Sequence, residues 1–264
     1  VSAINRKEIR MSYLPGKFVW FEHMSGDIPQ ARKFYEQLFG WHTEVMPMGD
    51  MRYPMIQNGE QGIGGFIERP SATIPPHWVA YLSVTDVDKV HAAALAAGAT
   101  QLMAPMDYGP VGRGSAIKDP TGAPFALWKS TEGDRPDEQQ APAGTWCWNE
   151  LWTPDEKKAL AFYEGVFGYT HDSMDMGPQG TYYLLKKDGI SRGGLMRSVE
   201  PKAPPMWLPY VAVDDCDAQA AKAKTLGAQV VAGPQDIPNV GRFAVLVDPL
   251  GAAVAVIKLL PMQS

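Results

Sequence analysis

Only two cysteines and five histidines occur in this chain of 264 residues, and that scarcity removes several chemistries at once. Cys147 and Cys216 are far apart, give no C-x-x-C spacing and supply no disulfide framework. Cys147, between Trp146 and Trp148 in a predicted strand, reads as a small apolar filler, and a reducing cytoplasm is the expected compartment. The histidines His23, His42, His77, His91 and His171 fall singly, without the pairing that a zinc site shows. No run approaches the roughly 18 consecutive apolar residues of a membrane helix, and the first ten residues are polar rather than the apolar core of a secretory signal. The net charge is −5, and no basic run is interleaved with aromatics, so neither nucleic acid nor membrane is an expected partner. No G-x-S-x-G, P-loop or Ser-His-Asp pattern offers another chemistry.

What is present is a repeat. ARKFYEQLFGW (Ala31 to Trp41) returns as ALAFYEGVFGY (Ala159 to Tyr169), a shift of 128. Trp20 and Glu22 return at the same shift as Trp148 and Glu150. Later landmarks shift by 129: Trp78 to Trp207, Tyr81 to Tyr210, Arg113 to Arg242, and Asp119-Pro120 to Asp248-Pro249. A period this long means duplicated domains, not a solenoid of short repeats.

Within copy one, Phe18 to Met24 is strand-like. Ile28 to Phe39 carries Ile28, Ala31, Phe34, Tyr35 and Leu38 at helical spacing, and Gly40 stops it. Three short strand-like runs follow, then a strand from Trp78, an Ala-rich helix from Val87 ended by Gly98, and three more strands to Trp128. Each copy therefore predicts a βαβββ unit twice over. The expected class is α+β: two tandem domains, each a pair of βαβββ units whose strands form a cup-shaped mixed sheet with the helices outside. Residues 1–15 read as an N-terminal extension, 16–130 as domain 1, 131–144 as a polar, Pro-rich linker, and 145–264 as domain 2.

The motifs D-x-x-x-A-x-x-FY-x-x-x-FG after the first strand and DP-x-G before the last occur in both copies. With them the chain resembles the vicinal oxygen chelate superfamily, which includes glyoxalase I, extradiol dioxygenases and bleomycin-resistance proteins. WNELWT (Trp148 to Thr153) and DIPNVGRFAVLVDPLGA (Asp236 to Ala252) are most similar to a two-domain subgroup labelled glyoxalases or hydroxylases, which includes a mycobacterial antigen. The resemblance implies intramolecular pairing of the two domains and, in metal-dependent members, one divalent ion on the cup floor. That ion is held by His, Glu or Gln at four inward strand positions and polarises substrate oxygens.

Counting from the helix-initiating Asp and the DP-x-G turn, those positions fall on Trp20, Gly64 to Phe66, Val79 and Ala126. In copy two they fall on Trp148, Gly194 to Met196, Leu208 and Ala255. None supplies a ligating side chain, so no metal and no other cofactor is expected; only a strand register wrong by two residues would restore a divalent ion. Glu22 and Glu150 lie two residues beyond the tryptophans and, by strand alternation, point into the same cups, as do Tyr81 and Tyr210. A lone buried carboxylate is costly unless hydrogen-bonded, and its pKa is expected to rise. Two roles stay open for Glu22 and Glu150: general acid/base, or anchor for a cationic or hydroxylated ligand; a structural contact to Tyr is the alternative to both. Arg113 and Arg242 either clamp an anion at the cup mouth or pair with nearby Asp. The function expected is binding of a small, largely apolar molecule without a metal; the alternative is a glyoxalase-like lyase or isomerase, or a hydroxylase-type enzyme, using the inward Glu.

Overall fold

A computed structural model describes residues 12–48, 51–200 and 203–261. Residues 1–11 of the expected extension lie outside it. Copy one contains β1 (Phe18–Ser25), α1 (Ile28–Phe39), β2 (His42–Met48), β3 (Met51–Asn58), β4 (Gln61–Glu68), β5 (His77–Ser83), α2 (Val87–Ala96), β6 (Thr100–Asp107), β7 (Gly112–Lys118) and β8 (Pro124–Ser130). Copy two repeats the order with β9 (Trp146–Thr153), α3 (Glu156–Phe167), β10 (Thr170–Asp175), β11 (Thr181–Lys187), β12 (Ile190–Arg197), β13 (Met206–Ala212), α4 (Cys216–Thr225), β14 (Gln229–Ile237), β15 (Gly241–Val247) and β16 (Ala253–Leu259). Each copy makes one eight-stranded mixed sheet, ordered β2-β3-β4-β1-β5-β8-β7-β6 and β10-β11-β12-β9-β13-β16-β15-β14. Each is the expected cup, and neither closes into a barrel. Among the described residues no helix is long and apolar enough to cross a membrane.

The repeated motif explains why α1 and α3 form and stop where they do. Asp27 and Asp155 accept from the backbone N–H of Gln30 and Lys158, satisfying donors that a helix start leaves free. The apolar stripe Ala31, Phe34, Tyr35 and Leu38, matched by Ala159, Phe162 and Tyr163, is buried. Gly40 and Gly168 then adopt φ of 74° and 64°, the left-handed conformation that ends a helix and that glycine adopts without steric cost.

The stripe packs across the repeat as well as within it. One core joins Phe21, Phe34, Tyr35 and Trp78 of copy one to Val211, Ala220, Leu246 and Val254 of copy two. A second joins Leu82, Ile117 and Phe125 to Leu151, Phe162, Tyr163 and Trp207. Each first βαβββ unit thus shares its apolar interior with the second unit of the other copy.

The DP-x-G turns seal this junction. Asp248 Oδ1 gathers the amides of Leu250, Gly251 and Ala252 at 2.8, 2.8 and 2.9 Å. Its Oδ2 reaches across to accept from Tyr35 Oη at 2.9 Å and His23 Nε2 at 2.8 Å. Burial raises the Asp248 pKa, but the hydrogen bond and charge of His23, the Ala252 amide and Tyr35 outweigh it and hold the carboxyl below its ordinary value. Asp119 makes the matching hydrogen bonds in mirror image: Oδ1 accepts from the amides of Thr121, Gly122 and Ala123, and Oδ2 accepts from Tyr163 Oη at 3.0 Å. Leu151 stands where His23 would be, so the two seals are not equivalent.

The linker is strapped down at several points. Asp134 accepts from the Leu14 amide at 2.6 Å and from Ser83. Lys17 Nζ donates to the carbonyls of Arg135 and Pro136, and Trp41 Nε1 donates to the Gly144 carbonyl at 2.7 Å.

Candidate functional site

Strand alternation sets the two faces of β1. Phe21, His23 and Ser25 are buried toward the helices, which leaves Trp20, Glu22 and Met24 on the inner face. Pairing fixes their neighbours. Glu22 lies between Gly65 and Val79, and Trp20 lies beside Tyr81, which is itself beside Ala126. In copy two Glu150 lies between Gly194 and Leu208, with Trp148 beside Tyr210 and Tyr210 beside Ala255. The residues expected on the floor from sequence are therefore brought together in each cup, and the fourth-strand position resolves to Gly65 and Gly194.

Those glycines are room for a neighbour. A Cβ on Gly65 would lie 2.0 Å from Tyr53 Oη, and one on Gly194 would lie 1.9 Å from Tyr182 Oη. The phenol of β3 or β11 thus lies across the fourth strand and reaches the carboxylate. Tyr53 Oη donates to Glu22 Oε1 at 2.6 Å and accepts from Trp20 Nε1 at 2.9 Å. Tyr81 Oη donates to Glu22 Oε2. In copy two Tyr182 accepts from Trp148 Nε1 at 3.0 Å and hydrogen-bonds Glu150. Glu150 Oε1 also accepts from Tyr210 Oη at 3.2 Å and Trp152 Nε1 at 2.5 Å.

Sequence reasoning missed Tyr53, Tyr182 and Trp152. The first two were detectable, because they are related by the same shift of 129 as the other landmarks. Trp152 replaces Met24 and has no counterpart in copy one.

Both carboxylates are buried, Glu22 at 7% and Glu150 at 6% exposure. Burial pushes the pKa of each up, against the opposing hydrogen bonds of Tyr53 and Tyr81, or of Trp152, Tyr182 and Tyr210. The same burial, with the carboxylate beside them, pushes the tyrosine hydroxyls well above their ordinary value.

The cups differ in filling. In copy two Leu208, Tyr210, Val245, Ala255 and Ile257 form a buried cluster covered by Trp148, Trp152, Met206 and Phe243. Tyr210 is 3% exposed and Ile257 4%. Their counterparts Tyr81 and Trp128 are only half-buried, as is Ala116 in the place of Val245, while Trp20, Tyr53 and Tyr108 are half-buried like Trp148, Tyr182 and Ile237. Gly114 stands where copy two has Phe243, and Trp128 packs over it. Tyr81 and Tyr108 each meet Trp128 edge to face, at 6.0 and 5.5 Å between ring centroids.

Arg113 and Arg242 are not part of either floor. Arg113 lies on the helix side of β7, the face opposite Ala116, and binds Asp88 through Nε and Nη2 at 2.7 and 2.8 Å and Asp107 at 2.9 Å. Arg242 repeats this with Asp217 and Asp236. The anion clamp considered from sequence is corrected to outer-face ion pairs, because both guanidinium edges are already spent on aspartates. The histidines are likewise dispersed: His91 bonds Ser115 and Gln101, His171 bonds Glu164, and His77 bonds the Pro75 carbonyl.

The inner floor can be tested for a divalent ion on its donor set. Indole, glycine, Val or Leu, and Ala stand at the four positions, and none ligates through its side chain. Moving the register by two residues brings in Glu22 or Glu150, already bound by phenols, and in copy one His77, whose Nδ1 is bonded to the Pro75 carbonyl, a set still short of three ligands. Among the described residues no three His, Cys, Asp or Glu side chains gather as a metal site would require. These residues do not fit the ion that the fold would otherwise suggest. Two surface hollows lie away from the floors, about 310 Å³ along the outside of α1 and about 240 Å³ beside the linker and β16.

This fold and its paired inner faces define a class, and comparison with known sequences agrees: the chain belongs to the glyoxalase/bleomycin resistance protein/dioxygenase superfamily, whose model matches residues 17–127, while a glyoxalase-like domain model matches 148–257. It is 40% identical over 259 residues to "Putative glyoxylase CFP32" of Mycobacterium tuberculosis (strain CDC 1551 / Oshkosh), covering 96% of this chain and 99% of that one. It is 30% identical over 264 residues to the anthracycline biosynthesis protein DnrV of Streptomyces peucetius, covering 94% of each. Among solved structures, the Mn(II)-bound glyoxalase of Novosphingobium aromaticivorans superimposes with a TM-score of 0.67 at 18% identity, covering 94% of this chain and 83% of that one. That likeness is one of fold.

Proposed function

We propose that this chain binds a small, largely apolar molecule in the cup of copy one, without the divalent metal of its metal-dependent relatives. The observation that carries the reading is the floor itself. The four family ligand positions hold side chains that cannot ligate, while the one inward carboxylate is held by Tyr53 and Tyr81 on a half-open aromatic surface. Apolar walls with one or two oriented polar groups are the usual make-up of a small-molecule site. The packed cluster around Leu208 and Tyr210 favours a structural role for copy two, with Glu150 a satisfied polar contact beneath it. The cofactor requirement is none, and the partner is a small molecule rather than nucleic acid or membrane.

A second reading, an enzyme using Glu22 for proton transfer, draws support from the upward shift of that carboxyl. Such a shift brings a carboxyl nearer the range useful for acid–base work at neutral pH. The experiment that tests the first reading is equilibrium binding of a small aromatic compound by the full chain and by Glu22→Gln. We expect the substitution to weaken binding while leaving the circular dichroism spectrum intact. Unchanged affinity would assign Glu22 to structure and remove the reading.

A further inference from the structure

Resting on the reading above, we infer that the occupant of the copy one cup is an organic cation, an ammonium or amidinium head on a flat apolar body. Trp20 gives its only N–H to Tyr53, and Tyr53 and Tyr81 give their only O–H to Glu22. Tyr108 gives its O–H to Met103 Sδ, at 3.4 Å. Each of these donors is spent internally. What remains toward the cup is acceptor capacity: each Glu22 oxygen takes one hydrogen bond, whereas a carboxylate has about four lone-pair sites. A ligand that meets this floor must therefore donate, and one that offers only acceptors finds no partner.

Charge points the same way. The groups that act on Glu22 are two phenols and its own burial, with no cation among them, and the described ion pairs lie elsewhere in the molecule. Both arginines considered as anion clamps face away. A buried carboxylate without a counter-charge is costly, and a cation delivered by the ligand offsets that cost. The walls suit such a head. Trp20, Tyr81, Tyr108 and Trp128 are half-buried, and the last three meet at interplanar angles of 80° and 63°. Rings set at steep angles present faces from different directions, the arrangement in which cation–π attraction accumulates. Copy two lacks the Tyr108–Trp128 wall, with Ile237 and Ile257 in its place. Glu150 receives three donors, and Phe243, Val245 and Ile257 occupy the places of Gly114, Ala116 and Trp128.

The test uses three probes of one shape and different charge, namely benzylamine, benzyl alcohol and benzoate, titrated at neutral pH into the full chain and followed by tryptophan fluorescence. We expect one benzylamine bound per chain, about tenfold or more tighter than benzyl alcohol, with benzoate weakest. Glu22→Gln should weaken benzylamine about tenfold and benzyl alcohol by a smaller factor, whereas Glu150→Gln should alter neither. Thermal unfolding of each variant controls for folding, and Tyr81→Phe provides a second probe with the Glu22 charge kept. Benzyl alcohol or benzoate binding as tightly as benzylamine would overturn the cation inference, as would failure of all three to bind or indifference of benzylamine to Glu22→Gln. Equal, Glu22-dependent binding of the alcohol that survives EDTA would sink the inference but leave the metal-free reading standing. Loss of all binding on chelation would sink that reading itself.

Discussion

Replacing Gly65 by Ala tests the floor at the place where a metal-binding relative would carry a ligand. A strand glycine ordinarily gains from this change, by roughly 0.5–1 kcal/mol, because Ala loses less backbone freedom on folding. Here the new Cβ would lie 2.0 Å from Tyr53 Oη and 2.3 Å from Cζ, so the ring must swing away. It would then give up its hydrogen bond to Glu22 at 2.6 Å and the one it receives from Trp20 at 2.9 Å. A hydrogen bond to a charged group contributes about 1.5–3 kcal/mol and a neutral one about 0.5–1.5, so the loss outweighs the gain and Gly65→Ala should cost about 1–4 kcal/mol. The clash disappears with Tyr53→Leu, whose side chain ends short of the contacted atoms. In that background Gly65→Ala should be neutral or stabilising. A double-mutant cycle by urea unfolding should therefore give a coupling of about 2–4 kcal/mol between the two positions. Additivity within about 0.5 kcal/mol would refute the reasoning, since sites that do not touch add to that precision.

Two further predictions concern the junction and the carboxylates. Asp248→Ala strands both His23 and Tyr35 in the buried junction, whereas Asp119→Ala strands Tyr163 there and the half-exposed Thr121 hydroxyl, which water can reach. The former should cost about 1–3 kcal/mol more in urea unfolding, the usual penalty for one more buried orphan; equal costs would contradict the asymmetry. Glu22 and Glu150 have folded-state pKa values above the ordinary 4.5, so between 4.5 and the raised values the folded chain holds protons that the unfolded chain has lost. Their contribution is full below 4.5 and is lost as pH rises through the raised values. Relative to a Glu22→Gln/Glu150→Gln double variant, the wild type should lose stability over that rise, and a relative gain would reverse the assignment.

Much of the fold was legible because two motifs recur at a fixed distance. Asp27, the Phe34-Tyr35 pair and Gly40 specify a helix with a defined start, buried stripe and stop, and Asp119-Pro120 fixes the last hairpin. The floor was legible to the extent that alternation governs it: Trp20, Glu22, Val79, Tyr81 and Ala126 share a face because every second residue does. What spacing did not carry is reach across strands. Tyr53 meets Glu22 by lying over a glycine of the strand between them, and in sequence Gly65 signals only that a ligand is missing. The contact of Tyr35 with Asp248 joins motifs 213 residues apart in different copies, which neither copy reveals by itself. Arg113 and Arg242 recur like site residues, yet strand parity sends them outward to equally recurrent aspartates.

The central claim is that the copy one floor works through Glu22 and its phenols and not through a divalent ion. Elemental analysis of the full chain purified without added metal, paired with binding measured before and after EDTA treatment, tests it most directly. One carboxylate already engaged by two phenols leaves an ion dependent on water and weakly held. The account predicts far less than one ion per copy and the same affinity after chelation. Near-stoichiometric zinc, nickel, manganese or iron, with binding lost on chelation and restored by the ion, would contradict it.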